Sequence, residues 1–198
     1  MALTDKQSNI AAGAIFLGLA TYIGFNIATG TQTPSQIMQG ITQGLIPTAA
    51  DGVNNPLDLR TSTIAWQGKI TPQGNAFEQY ETMWQGYRAG IDTIKAHYKQ
   101  GQRTLIDILQ GTYNTNTGNY ENGFAPAADK NDPGSYAANV AAYAGISPTE
   151  DVGPYLSQPD MLSKIVTGFA LEEQGHSFTP NPADIQMAMV NLGIAPTA

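Results

Sequence analysis

The chain has no cysteine. That excludes a thiol nucleophile, a disulfide framework and the cysteine-ligated zinc and iron–sulfur sites. Histidine is almost as scarce, with only His97 and His176 present. Glu173 and His176 make a Glu-x-x-His spacing of the ferritin type. Such a site needs a second copy on another helix, and the sequence has none. No G-x-S-x-G nucleophile elbow is present either. No metal and no cofactor are expected. Basic side chains are also few: Lys and Arg total 9 against 16 Asp and Glu, for a net charge of -7. No basic face is available to neutralise phosphates, so nucleic acid is not an expected partner. Charged residues of both signs make up 13% of the chain, about half the usual share.

Much of that shortage lies at the N-terminus. From Gln7 to Ala50 there is no charged side chain. Within this region, IAAGAIFLGLATYIGFNIA (residues 10–28) is long enough, at about 1.5 Å per residue, to span a hydrocarbon core of roughly 30 Å. Its Gly and Ala content suits a membrane helix, and Gly13, Ala20 and Gly24 offer a close-packing face. A lipid membrane is therefore an expected partner through residues 10–28. Two other readings remain open. A secretory or translocation segment would want a basic leading region, and only Lys6 is there, balanced by Asp5. A buried helix in an oligomer is the other. Residues 31–50 read as a polar linker rich in Gly, Thr and Gln. It carries one short helix opened by Thr33 and Pro34, with Ile37, Met38, Ile41 and Leu45 as its apolar stripe.

From Asp51 charges and aromatics appear, and residues 51–198 read as one globular domain. Gly, Pro and Asn punctuation between short apolar pieces predicts a small β-hairpin within residues 62–80. Met83, Tyr87, Ile91, Ile94 and Tyr98 share one face of a helix. RTLIDILQ is a second helix, and TYNTNTGNYENG reads as a polar loop. DPGSYAANVAAYAG is a helix with Asp132 as its N-cap, Pro133 in its first position and Gly145 as its stop. PDMLSKIVTGFALEEQG and NPADIQMAMVNLG are two further helices started by proline. The fold class is mainly α with a small β element, and no internal repeat is visible.

The helix ending in LEEQG carries the sharpest signal. At about 100° per residue, Ile165, Val166 and Phe169 fall within roughly 60° of Leu162, and Glu173 falls about 20° from it, inside the apolar stripe. Glu172 lies about 80° away, at the stripe's edge. Glu173 is thereby aimed at the core or at a cleft opening from it. Desolvation disfavours the ionised form of a carboxyl and raises its pKa. An acid still protonated near neutral pH suits cleavage of a glycosidic bond. The competing account is a frayed helix end with Glu173 in water. Tyr113, Asn114, Asn116 and Tyr120 sit in the polar segment, where amides and aromatic faces suit sugar hydroxyls and rings. An Asn-rich turn without a ligand is the plainer reading. His97, between Ala96 and Tyr98, reads as a packing or surface histidine.

Four segments in order resemble a known pattern. NNPLDLR followed by WQG is similar to N-N-P-G-N-I-R with W-x-G. AFEQYETMWQGYRAGIDTIKAHY resembles F-x-x-F followed by G-[IFY]-R-A and a tyrosine. TLIDIL with FAPAADKNDPGSYAANVAAYAG resembles T-[IV]-x-x-I-I with W-A-P, N-D-T and a closing Gly. FALEEQG resembles a segment ending in E-N-G, ahead of a final short helix. The pattern is that of phage virion structural proteins with a lysozyme-like or lytic-transglycosylase-like fold. The chain departs from it at Leu57-Asp58, where Gly-Asn is usual, and in a polar insertion over residues 113–123.

The resemblance implies an α+β lysozyme-like domain in a virion-associated protein. The transmembrane helix ahead of it and the membrane attachment are expected from residues 10–28 alone, since ordinary members of the family lack that segment. The domain would cleave the glycan strand of peptidoglycan as a phage enters or leaves its host, with Glu173 as general acid. A lysozyme would add a second carboxylate, for which Glu81 and Glu78 stand before the R-A helix. A lytic transglycosylase would need none. Peptidoglycan and other virion proteins are the implied partners. A reading of a different class is a structural virion protein that keeps the scaffold and binds capsid or membrane without turnover. Cleavage of peptide cross-links is disfavoured by the lack of cysteine and the two histidines. Arg88, at the edge of its helix stripe, is expected to hold a carboxylate or a carbonyl.

Overall fold

A computed structural model describes residues 54–194. The expected membrane span at residues 10–28 and the short linker helix lie outside the described residues. Among the described residues no helix is long and apolar enough to cross a membrane.

The domain is mainly helical with one two-stranded antiparallel hairpin. The order is α1 (Met83–Lys99), α2 (Leu105–Gln110), β1 (Thr112–Asn114), β2 (Asn119–Glu121), a 3-10 turn (Ala127–Asp129), α3 (Pro133–Ala144), a second 3-10 turn (Gly153–Ser157), α4 (Pro159–Gln174) and α5 (Pro182–Asn191). The local signals for starting and stopping act where they stand. Asp132 accepts from the N–H groups of Gly134 and Ser135 at 3.1 Å, Pro133 opens α3, and Gly145 ends it in the left-handed region at φ 75°. Asn181 caps α5 through Ala183 N–H at 3.0 Å. Gln85 Oε1 accepts from both the backbone and the hydroxyl of Thr82 at the head of α1. Each such cap satisfies donors that the first turn leaves unpaired.

Helix α4 is the centre of the core. It packs on α3, α5 and α1, while α1 and α5 pack along each other. Leu162, Ile165, Val166 and Phe169 of α4, Tyr87, Ile91 and Ile94 of α1, and Val140 of α3 are fully buried. Arg88 ties α1 to α5: its Nε donates to Asn191 Oδ1 at 2.9 Å, and its guanidinium lies 3.7 Å from Asp92.

The β element is not where the sequence predicts it. Residues 60–80 form no strand, only isolated antiparallel bridges Arg60–Phe77 and Lys69–Tyr80. This lobe is built around a buried carboxylate instead. Glu78 is 0% exposed and accepts from Ser62 N–H (2.9 Å), Ser62 hydroxyl (2.8 Å), Lys69 Nζ (2.8 Å) and Thr71 hydroxyl (2.6 Å). The hairpin is the segment that reads as a polar loop. Tyr113 pairs with Tyr120 across it, and the turn closes through Gly118 N–H to Asn114 O at 2.8 Å.

The segment leading into the lobe is stitched down by two asparagines. Asn54 Nδ2 donates to Tyr80 O at 3.0 Å and Asn55 Nδ2 to Leu59 O at 3.0 Å. This strap crosses α1 where α1 has no side chains: a Cβ on Gly86 would lie 2.0 Å from Asn54 O, and one on Gly90 would lie 2.7 Å from Leu57 Cδ2. Gly86→Ala is therefore expected to destabilise the domain by about 1–3 kcal/mol through overpacking against backbone, despite alanine's better helix propensity. Urea unfolding of variant and wild type reads this directly. An unchanged midpoint would mean that the strap does not cross there.

Candidate active site

Helix α4 stops at Gly175 (φ 82°, ψ 158°), so its last turn carries Glu172, Glu173 and Gln174. Glu173 continues the buried stripe and is half-buried. Its Oε1 accepts from the Tyr136 hydroxyl at 2.7 Å, and that hydroxyl also lies 3.4 Å from Phe169 O. Helix α3 delivers Tyr136, whose ring packs on Phe169 with centroids 5.5 Å apart. Glu172 points elsewhere, to Asn139 Nδ2 at 3.2 Å and to exposed His176 at 3.8 Å. Among the described residues no group of His, Asp and Glu could hold a metal ion.

Glu173 opens on a cleft of about 350 Å³. One wall is the strap and lobe, with Asp58, Arg60, Trp66 and Phe77. The other is the segment after the hairpin, with Phe124, Asp129 and Asn131. Thr93 and His97 of α1 line it between them. Arg60 lies 5.8 Å from the Phe77 ring centroid and reaches Asp129 of the opposite wall at 3.2 Å. Asp58 adopts φ 44°, a left-handed conformation that Asp and Asn tolerate better than other side chains. Its Oδ1 accepts from Gln174 Nε2 at 2.8 Å, which joins the strap to the end of α4 beside Glu173.

These surroundings set the charge state. Burial pushes the Glu173 carboxyl up to about 7, reinforced by the negative charges of Asp58 and Glu172. The Tyr136 hydrogen bond and the Arg60 guanidinium oppose the shift without cancelling it. Burial also raises Asp58, partly offset by Gln174. Burial and the Glu173 charge push the Tyr136 phenol far up, so it remains a donor. Between the ordinary 4.5 and about 7, the fold holds a proton on Glu173 that the unfolded chain releases. The folded state accordingly loses stability as pH rises through that window. Glu173→Gln keeps the shape and cannot ionise. It is expected to match wild type near pH 4 and to exceed it at pH 8 by about 1–3 kcal/mol, read from denaturant unfolding at the two pH values. Equal stability at pH 8 would show that the carboxyl is not desolvated.

The other sequence candidates sit elsewhere. Glu81 is exposed, its N–H donating to Gly68 O at 2.8 Å, and it does not line the cleft. Glu78 is consumed inside the lobe. Tyr113 and Tyr120 are 53% and 44% exposed and meet edge to face at 5.3 Å. Asn114 Nδ2 donates to Glu121 at 2.9 Å, and Asn114 Oδ1 accepts from Asn116 N–H at 2.9 Å. None of these four lines the cleft, although the hairpin runs directly into Gly123 and Phe124, which do. Of the carboxylates brought to Glu173, Asp58 was not singled out from sequence, nor were Arg60, Trp66 and Phe77. The signal available was that NNPLDLR and WQG stand together before α1. His97, read as packing or surface, is a lining residue. The chain matches no protein-family model and no curated protein.

Proposed function

We propose that this is a virion-associated, membrane-anchored enzyme that cleaves the glycan strand of peptidoglycan as a phage enters or leaves its host. The observation that carries the catalytic part is Glu173: a half-buried carboxyl with its pKa pushed up to about 7, open to a cleft with aromatic side chains on both walls. The uncharged residues 7–50 and the four segments in order support the rest of the reading, including a lysozyme-like domain.

In this mechanism Glu173 gives its proton to the glycosidic oxygen, and Tyr136 then stabilises the carboxylate left behind. Two completions differ in the acceptor. In hydrolysis, water attacks the anomeric carbon with Asp58 as the second carboxylate. In internal transfer, a hydroxyl of the same sugar attacks, and Glu173 takes up its proton. Asp58→Asn tests the coupling of the two carboxyls. Removing that negative charge lowers the Glu173 pKa, so the alkaline limb of the activity profile is expected to move to lower pH. A limb that stays in place would separate the two groups.

The non-catalytic reading, a structural virion protein, draws on one observation. The Arg60–Asp129 pair joins the walls of the cleft and stands in a substrate's way. Its side chains are 64% and 38% exposed, and exposed pairs contribute about 0–1 kcal/mol, so a ligand can part it at little cost. Zymography of the full chain on purified peptidoglycan decides between the readings. Clearing supports the enzyme, and its absence with folded protein supports the scaffold.

A further inference from the structure

We propose that His97 is a ligand-binding residue of the cleft, with Nε2 as a fixed neutral acceptor for a hydroxyl or acetamido N–H of a bound glycan. This deepens the glycan-cleaving reading and rests on it.

The inference starts from Gln102. After α1 the chain turns at Gly101 and buries the Gln102 side chain to 3% exposure. Gln102 Nε2 lies 3.1 Å from Asn122 O and 3.4 Å from Thr112 Oγ1. A backbone carbonyl can only accept, so the atom facing Asn122 must be the amide NH₂. The amide oxygen is then the atom 2.6 Å from His97 Nδ1, and it needs a donor there. His97 Nδ1 consequently carries a proton, and in the neutral ring Nε2 is left with the lone pair. No hydrogen bond from the described residues reaches that Nε2.

The ring is held as well as polarised. It meets Phe124 edge to face at 6.2 Å, and Phe124 meets Phe169 of α4 at 5.0 Å. Burial holds the imidazole below its ordinary pKa, with Gln102 offsetting part of the shift, which keeps the ring neutral at neutral pH. The cleft's carboxylate acceptors, Asp58, Asp129 and ionised Glu173, attract cations as readily as neutral donors. A neutral acceptor does not, and it suits the uncharged donors of a sugar ring.

The test uses the full-length Glu173→Gln protein in detergent, so that turnover does not mix with binding. Nitrogen–proton correlation spectra of the imidazoles are expected to show the Nδ1–H tautomer at His97. A β-1,4 tetramer of N-acetylglucosamine is expected to shift its Nε2 signal. The glucose tetramer of the same linkage separates the donors: a shift with both sugars marks a hydroxyl, and a shift with the acetylated sugar alone marks the acetamido N–H. His97→Phe in the same background keeps the ring contact and is expected to bind at least about tenfold more weakly. An Nε2–H tautomer in the free protein overturns the proposal without any variant having to fold. So does unchanged affinity in His97→Phe, or no binding of either sugar. If glycan binds and moves Nε2 while wild type clears no peptidoglycan, the enzyme reading fails and the His97 site stands.

Discussion

Replacing Glu173 with glutamine is expected to abolish clearing of peptidoglycan while leaving the domain folded. Glutamine has the size and shape of the acid, and its oxygen can still accept from Tyr136, so the cleft is preserved. What it lacks is the proton. A positioned general acid contributes about 10²–10⁴-fold in rate, and the variant should lose at least that much. The pH profile gives the result its specificity. With the carboxyl titrating at about 7, wild-type activity should fall as pH rises through that value. A carboxyl at its ordinary 4.5 would be almost entirely ionised at pH 7 and a poor donor. Turbidity loss of purified peptidoglycan, followed from pH 5 to pH 9, reads both features. Should Glu173→Gln clear as well as wild type, the acid lies elsewhere, and Asp58 is the next carboxyl in the cleft.

Glu173 was legible in the sequence because its placement is local. One helix, its proline start, its glycine stop and its apolar stripe are enough to say which glutamate faces inward. Helix α3 was legible for the same reason, through Asp132, Pro133 and Gly145. The partners of Glu173 were not. Tyr136 meets it across a helix pair, and Asp58 reaches the end of α4 only because Gln174, 116 residues later, holds it there. Such contacts have no sequence period. His97 shows the same limit in miniature: its Nδ1 is a donor only because Gln102, itself oriented by Asn122, presents an oxygen to it. The hairpin exists, but its position was missed for a different reason. The real strands are three residues each and carry polar, mostly exposed side chains, so they show no alternation of apolar and polar residues. Residues 62–80 showed turn punctuation without strands, because a buried carboxylate organises them in place of a ladder.

That carboxylate carries the largest expected stability effect. Glu78→Ala removes the acceptor for Ser62, Lys69 and Thr71 at once. Lys69 is left with the carbonyls of Ser62 and Ile64, its side chain only 20% exposed. Breaking a buried pair by deleting one partner costs about 3–5 kcal/mol, because the remaining charge is desolvated and unpaired. For a domain of this size that is a fall of roughly 10 °C or more in melting temperature. The loss should extend to the cleft, since the lobe supplies Arg60, Trp66 and Phe77. The sign of the pH dependence separates this mechanism from a simple packing defect. Burial alone would raise Glu78, but the hydrogen bonds from Lys69, Thr71 and Ser62 outweigh it and hold its pKa below the ordinary 4.5. Its contribution is therefore full above 4.5 and is lost as pH falls below that value, opposite to Glu173, whose burial penalises the fold as pH rises toward 7. Wild type should thus be most stable near pH 4.5, with an acid limb due in part to Glu78 and a decline above it due in part to Glu173. Calorimetry from pH 3 to pH 8 should find that acid limb flattened in Glu78→Ala and the alkaline decline intact. A uniform loss at every pH would assign the effect to lost packing and not to the buried charge.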